Sequence, residues 1–442
     1  MLEDILAKLQ QLKSVKDFSS IDATFEFNWK ALEPEAKQLA CLLSLFALAP
    51  IPWYLVELAV NACGLNFDMQ ANRDVLTKYY ILQKVEENVY EIHENIKRIL
   101  NNKLEELSFS AQLKRGFCQA IVAVAKTIDQ RPTLQQILEL SPAIPHIAEA
   151  ATVYSHWLSD EDLICPFVAN SRFYKGQGSY KQALFWLEQS LSVTQERLGE
   201  QHPDVANSLN NLALLYTSQG HYSEAETLYI KALDARKHLV GEQHLDVATS
   251  LNNLALLYHS QRRYSEAEPL YIKALDMRKR LLGEQHSDVA TTLNNLAGLY
   301  KSQGCYSQAE PLYIQALGMK KRLLGEQHPD VATSLNNLAV LYKSQGCYSQ
   351  AEPLYIQALD MRKRLLGEQH PDVATSLNNL ALLYTSQGRY REAEPLCILA
   401  LDIFEIKLGH NHPNTITCRE NLASLRSTIT SANVEEIIGF KD

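Results

Sequence analysis

The sequence predicts an all-α solenoid with a small, differently built domain ahead of it, and three observations carry that prediction. The stretch Leu209-Asn210-Asn211-Leu212-Ala213-Leu214-Leu215-Tyr216 returns with its start at Leu251, Leu293, Leu335 and Leu377, 42 residues apart each time. Self-similarity at a fixed period of this size marks stacked supersecondary units, none of which can bury its own apolar face alone. Within each copy, apolar residues recur at helical spacing twice, on either side of a short turn. Ahead of residue 160 no period holds, and short helical runs surround one alternating, strand-like pair. The expected division is 1–105 for the first domain, 106–160 for a helical connector, 161–432 for the repeats and 433–442 for a tail.

Taken in order, the chain opens Met1-Leu2-Glu3-Asp4, acidic and without the apolar core of a signal peptide. Leu39 to Leu65 is strongly apolar, but Pro50 and Pro52 break it and Glu57 and Asn61 interrupt its second half. A membrane-spanning helix needs about 20 apolar residues in a row, so two short buried helices are expected here. Asn28 to Lys37 leads into the first of them, and Asp74 to Tyr80 gives a third helix. Ile81 to Val85 and Val89 to Ile92 then alternate around Glu86-Glu87-Asn88, which reads as a hairpin. Asn95 to Leu100 is again helical. In the connector Phe117, Ile121, Val124 and Ala125 share a helix face, Gln130-Arg131-Pro132 and Ser141 to Pro145 are breaks, and a helix is expected from His146 to Leu158.

Each repeat reads as a helix pair. Asp246 is expected to cap the first helix, along which Val247, Leu251, Leu254, Ala255 and Tyr258 form the apolar face. After the turn Ser260 to Tyr264, Ser265-Glu266-Ala267-Glu268 reads as a capping box for the second helix, with Pro269 inside its first turn. That helix buries Ala267, Tyr271, Ala274 and Leu275, and Gly283 ends it. A worn first copy fits the same frame at Tyr174, Gly178, Tyr180, Ala183 and Leu191, and a half copy ends at Asn421-Leu422-Ala423. The expectation is six helix pairs plus a capping helix.

These residues carry a resemblance. Leu-Ala-x-x-Tyr followed by Ala-x-x-x-Tyr-x-x-Ala is similar to the tetratricopeptide (TPR) helix-turn-helix, and the 42-residue form with Leu-Gly-Glu-Gln-His-Pro-Asp-Val-Ala between copies resembles the repeats of kinesin light chains. The resemblance covers about residues 162 to 426. Residues 20 to 105, helices followed by a two-stranded wing, resemble the winged-helix region that follows the nucleotide-binding module in STAND regulatory ATPases of the NB-ARC type. The Met-His-Asp motif of that family stands here as Ile92-His93-Glu94, which implies a phosphate contact for His93. No Gly-x-x-x-x-Gly-Lys-Ser/Thr occurs in the chain to cradle a phosphate, so His93 is expected to be structural, or to serve with a separate P-loop NTPase chain.

The remaining chemistry points away from catalysis. Eight cysteines are scattered without a Cys-x-x-Cys, so neither a zinc site nor a disulfide framework is expected, and a reducing cytoplasm is the natural compartment. His202, His244, His286, His328, His370 and His412 recur once per repeat. Neighbouring helices lie roughly 8–10 Å apart, too far to share one metal at about 2 Å, and these histidines are read as turn supports. The net charge of −9 weighs against nucleic acid, as does a third N-terminal helix with only Arg73 and Lys78 to meet phosphates. Basic ends such as Arg362-Lys363-Arg364 are accounted for by the helix macrodipole. The expectation is no enzyme, no cofactor, no metal and no membrane.

What remains is the face of the first helix turned from the core. At about 100° per residue, Leu209, Leu212, Ala213 and Tyr216 cluster on one side, while Asn210, Leu214, Thr217 and Ser218 point the other way. The TPR resemblance makes this second side the concave groove. It carries Asn210, Asn252, Asn294, Asn336 and Asn378, with Leu214, Leu256, Val340 and Leu382 beside them, Lys301 and Lys343 in the middle copies and a gap at Gly298. An amide both donates and accepts, so it can pair with the backbone of an extended peptide of any sequence. The resemblance to kinesin light chains implies the same role for the first asparagine of each pair. The second, Asn211 and its copies, persists into the last helix as Asn421 and is read as framework. The functional expectation is a peptide-binding scaffold in a bacterial STAND-type signalling setting. The alternatives are a kinesin-light-chain-like cargo adaptor, against which no long heptad coiled coil precedes the repeats, or a fragment of an NB-ARC ATPase.

Overall fold

A computed structural model describes the backbone of residues 18–439 and the side chains of 24–431; the expectation for Met1-Leu2-Glu3-Asp4 lies outside them. The chain divides into two compact units, one formed by residues 1–128 and 138–170 and the other by 129–137 and 171–442.

In the first unit, α1 (Phe18–Ala31) and α2 (Pro34–Leu43) lead to a short strand β1 (Ile51–Pro52), then α3 (Trp53–Ala62) and α4 (Met69–Lys78). The expected hairpin is present as β2 (Gln83–Glu86) and β3 (Val89–Glu91), and β1 adds antiparallel to β3, giving the order β1-β3-β2. The apolar stretch 39–65 is two buried helices around the prolines, and no helix among the described residues is long and apolar enough to cross a membrane. α5 (Glu94–Glu105), α6 (Ser110–Ala125), α7 (Leu134–Leu140), whose residues up to Ile137 belong to the second unit, and α8 (Ile144–Thr152) follow. The helix expected to run to Leu158 stops at Thr152. Tyr154 turns into the core against Phe117, and Ser155–Trp157 continues as a single 3₁₀ turn. At the centre His146 is fully buried beside Phe46. Its Nδ1 accepts from Ala47 N at 3.1 Å and its Nε2 donates to Pro50 O at 3.1 Å, so the ring satisfies the polar backbone between α2 and β1. Burial pushes this imidazole down to about 4.

The second unit is the solenoid. α9 (Cys165–Gly176) and α10 (Tyr180–Leu198) form the worn first copy. The full copies are α11 (Pro203–Gln219) with α12 (Tyr222–Val240), α13 (Leu245–Ser260) with α14 (Tyr264–Leu282), α15 (Ser287–Ser302) with α16 (Tyr306–Leu324), α17 (Pro329–Ser344) with α18 (Tyr348–Leu366), and α19 (Pro371–Ser386) with α20 (Tyr390–Leu408). α21 (Pro413–Gly439) covers the far end with Cys418, Leu422 and Leu425. The core is alanine- and leucine-rich where helices cross, with Tyr229, Tyr271 and Tyr355 buried whole.

Two expectations about helix starts are corrected. The first helix is capped by histidine, not aspartate: Nδ1 of His244 accepts from Asp246 N at 3.2 Å, and His202, His286, His328, His370 and His412 do the same for the residue two further on. Asp246 instead lies in the first turn, where its charge suits the helix dipole. The capping box does not form. The second helix already begins at Tyr264, which makes Ser265 helical, and no side chain caps it. Glu268 accepts from the Tyr300 hydroxyl of the next copy at 3.2 Å, and Pro269 falls in the second turn. Gly283 ends the helix as expected, at φ +82°.

Within this unit the stack comes round on itself. The turn after α9 meets the start of α19: Gly178 approaches Pro371 so closely that a Cβ there would lie 2.8 Å from the proline ring. One copy on, Gly220 meets Pro413 in the same way, and His412 Nε2 donates to Ser218 O at 3.0 Å. Lys407 donates to Gln177 O, and Arg131 pairs with Asp330 at 2.8 Å. Arg131, Lys175, Arg362, His370 and Asp372 gather along this seam. Burial works against the Asp372 charge, but Arg362, His370, Arg131 and Lys175 together hold its carboxyl below the usual range.

Candidate functional site

Successive first helices of the repeats touch one another more closely than successive second helices do. The first helices therefore line the inside of the curve. Two polar devices fix their spacing. In one, the first asparagine of each pair accepts from the second asparagine of the next copy: Asn253 Nδ2 donates to Asn210 Oδ1 at 3.1 Å, Asn295 to Asn252 at 3.3 Å, Asn337 to Asn294 at 3.3 Å, Asn379 to Asn336 at 3.1 Å and Asn421 to Asn378 at 3.2 Å. Asn210, Asn252, Asn294 and Asn336 keep only 4–8% of their surface exposed. Both asparagines of a pair thus take part in one ladder, the first through its oxygen and the second through its nitrogen.

The other device was hidden in the basic helix ends. Arg278 does not lie at the surface as a dipole partner; it is buried, donating to Asp288 O at 3.0 Å and Thr292 Oγ1 at 2.7 Å in the next copy and to Thr249 Oγ1 at 3.2 Å in its own. Arg236 and Arg362 make equivalent bonds. A planar five-donor guanidinium suits such a three-way clamp. The third full copy carries Lys320 at this position, also buried, and there the hydroxyl of Ser334 has no partner.

Along the inner face two columns lie beside the ladder. Leu214, Leu256, Gly298, Val340 and Leu382 form one; Thr217, His259, Lys301, Lys343 and Thr385 form the other. The aliphatic members are half-buried, and Leu214, Leu256 and Val340 lean on the core. Lys301 and Lys343 are also half-buried, and no ion pair reaches either of them among the described residues. Burial pushes both ammonium groups down, and Lys301 adds to the effect on Lys343. Burial and Lys301 likewise push His259 down to about 4. Its Nε2 meets Ser302 Oγ at 2.9 Å, and Ser302 donates on to Gly298 O at 3.0 Å, so the imidazole is the donor in that pair. Gly298 is the one member of its column without a side chain, and a Cβ there would meet Tyr313 Oη at 3.3 Å and His259 Cε1 at 3.5 Å.

In the other unit, Nδ1 of His93 accepts from Asn95 N at 3.3 Å and caps α5. Arg73 is stacked over Trp53 and Tyr90, at 5.3 and 5.6 Å from the ring centroids.

The family model described as tetratricopeptide repeat matches residues 162–238, 223–280, 246–322, 288–364, 330–405 and 372–429. None of the curated proteins matches the chain. Among solved structures, BtubC (BKLC) from P. vanneervenii is 27% identical over 53% of this chain and 94% of its own, with a TM-score of 0.40. A STAND protein with a tetratricopeptide repeat sensor from Pyrococcus horikoshii is 14% identical over 95% of this chain and 67% of its own, with a TM-score of 0.45. NprR, solved with its cognate peptide NprX, is 18% identical over 78% of this chain and 93% of its own; at a TM-score of 0.52 it shares the fold.

Proposed function

Since the chain belongs to the tetratricopeptide-repeat family, we propose that it is a non-enzymatic interaction scaffold whose inner face holds an extended peptide segment of a partner protein. The observation that carries this reading is the half of each ladder amide that the ladder does not use. Asn210, Asn294, Asn336 and Asn378 spend their oxygens on the next copy, which leaves their Nδ2 groups as donors for the carbonyls of a peptide. Asn252 differs, because its Nδ2 already donates to Asn253 Oδ1 at 3.2 Å. Leu214, Leu256, Val340 and Leu382 would accept apolar side chains, with Lys301 and Lys343 beside them. This is recognition by main-chain hydrogen bonds with pockets for alternate side chains.

The test separates ladder from ligand. Asn294→Asp with Asn336→Asp keeps the acceptors that Asn337 and Asn379 need and removes the donors. Partner capture should be lost while the melting temperature stays close to that of the parent. Retained capture would sink the assignment of these amides, and a collapse in melting temperature would make them framework alone.

A second reading concerns the setting. We read the first unit as a winged helix, a reading supported by its helix, strand, two helices and hairpin with strand order β1-β3-β2, and we propose that the chain is the sensor half of a STAND-type system working with a separate P-loop chain. Co-purification of a P-loop NTPase with the full chain, undisturbed by the asparagine variants, would support it.

A further inference from the structure

The turns between paired helices hold a further contact from copy to copy, and the repeats do not agree about it. In the second full copy Arg263 lies 4.0 Å over the Tyr258 ring. Its Nε and Nη2 fork onto Glu266 at 2.7 Å each, and its Nη1 donates to Glu226 of the preceding copy at 2.9 Å. The fifth full copy repeats this with Arg389, 3.9 Å over Tyr384, forked onto Glu392 at 2.8 Å and joined to Glu352 at 2.7 Å. An aromatic face, a carboxylate at the fork and a second carboxylate across the copy boundary make a socket for a guanidinium. These two copies fill it themselves.

The third and fourth full copies keep the socket and change what stands in it. Tyr300 and Tyr342 take the places of Tyr258 and Tyr384, and Glu268 and Glu310 those of Glu226 and Glu352. At the arginine position these copies carry Cys305 and Cys347, and at the forked glutamate Gln308 and Gln350. The two changes go together, arginine with glutamate and cysteine with glutamine. Glu268 accepts from the Tyr300 hydroxyl at 3.2 Å; Glu310 accepts from that of Tyr342 at 3.2 Å and from Gln345 Nε2 at 3.4 Å. No ion pair reaches either carboxylate among the described residues. A cysteine side chain ends at Sγ, so the room that the arginine stem and fork occupy in the sister copies is open beside both tyrosines. The glutamine oxygens remain as acceptors, a role that Gln261 already plays toward Arg263 at 2.9 Å.

We infer that the turns of the third and fourth full copies take two arginine side chains of one partner segment. Each guanidinium stacks on Tyr300 or Tyr342, pairs with Glu268 or Glu310 and donates to Gln308 or Gln350. Neighbouring copies lie roughly 10 Å apart, about three residues of extended chain, so the partner carries its arginines three residues apart. A lysine ammonium neither forks nor stacks in this way. The net charge of −9 favours the approach of such a segment. The sockets use none of the asparagines of the inner face, so this site is separate from the peptide site proposed above.

The probe is a fluorescein-labelled Ser-Arg-Ala-Ala-Arg-Ser peptide, titrated with the full chain by fluorescence anisotropy. It is compared with the same peptide carrying lysine or citrulline at both arginine positions, and it should bind at least tenfold tighter than either. Glu268→Gln with Glu310→Gln should weaken it at least tenfold. Glu284→Gln with Glu326→Gln, the same loss of charge at exposed positions between copies, should leave it unchanged. A four-fold variant, Cys305→Arg, Gln308→Glu, Cys347→Arg and Gln350→Glu, gives these copies the residues of their sisters and leaves the net charge as it is. Its melting temperature should rise, because each new arginine ties two copies together, and its peptide binding should fall at least tenfold. A variant more stable than the parent cannot owe that loss to unfolding. Equal binding of the lysine or citrulline peptide, equal weakening in the Glu284/Glu326 pair, or undiminished binding in the filled variant overturns the inference. So does failure of the arginine peptide to bind.

Discussion

Lys320 stands where three other copies place a buried arginine, and the consequence is visible one helix away. Ser334, whose counterparts Ser250 and Ser376 accept from Arg236 and Arg362 at 2.7 and 2.8 Å, is left buried without a partner. A single ammonium cannot reach three acceptors that a guanidinium spans. Lys320→Arg should therefore restore the clamp and raise stability by about 1 kcal/mol, read as a higher urea midpoint at unchanged slope. An unchanged or lower midpoint would mean that the third full copy has no room for the fork. None of this was legible in the run Arg-Lys-Arg, where all three cations satisfy a helix dipole equally well. Only the neighbouring copy, absent from a one-helix view, tells the inward residue from the two outward ones. The same holds for the asparagines. Asn-Asn fits a groove or a ladder, and the partner that decides lies 43 residues on.

At the scale of elements, periodicity did most of the work in the repeats. Val247, Leu251, Leu254 and Ala255 at helical spacing leave few other ways to bury apolar area, and Gly283 marks a stop that only a positive φ allows. The starts were harder. Histidine is a rare cap, and a Ser-x-x-Glu sequence does not show that the helix begins one residue earlier. The buried core histidine accepts through Nδ1 and so depends on a neutral imidazole. The folded chain holds His146 near 4 against an ordinary value of about 6.5, so the unfolded chain takes up the proton first. Stability from this group is complete above about pH 6.5 and is lost as pH falls toward 4, by roughly 3 kcal/mol. Denaturant midpoints of the first unit, followed through its tryptophans, should drop across that window. In His146→Gln they should start lower and fall less. A slope identical to the parent's would remove His146 as the titrating group.

For the second unit taken whole, the seam is the feature no local pattern announces. Gly178 and Gly346 occupy the same turn in their copies with φ of +73° and +79°, yet only Gly178 has a proline against it. Gly178→Ala and Gly346→Ala should share the backbone cost of about 1 kcal/mol for a side chain in the left-handed region. Gly178→Ala alone should also loosen the seam, seen as faster amide exchange at the start of α19. Equal exchange in both variants would show that the touching turns contribute nothing.

That seam also bears on how such a chain can change over generations. Near-identical copies invite unequal recombination, which adds or removes one 42-residue unit at a time. Loss of a middle copy would carry Gly178 from His370-Pro371 to His412-Pro413, the same histidine cap followed by the same proline. The coil could close again on an equivalent pair of residues, so the length of the array is free to drift while its way of closing is not.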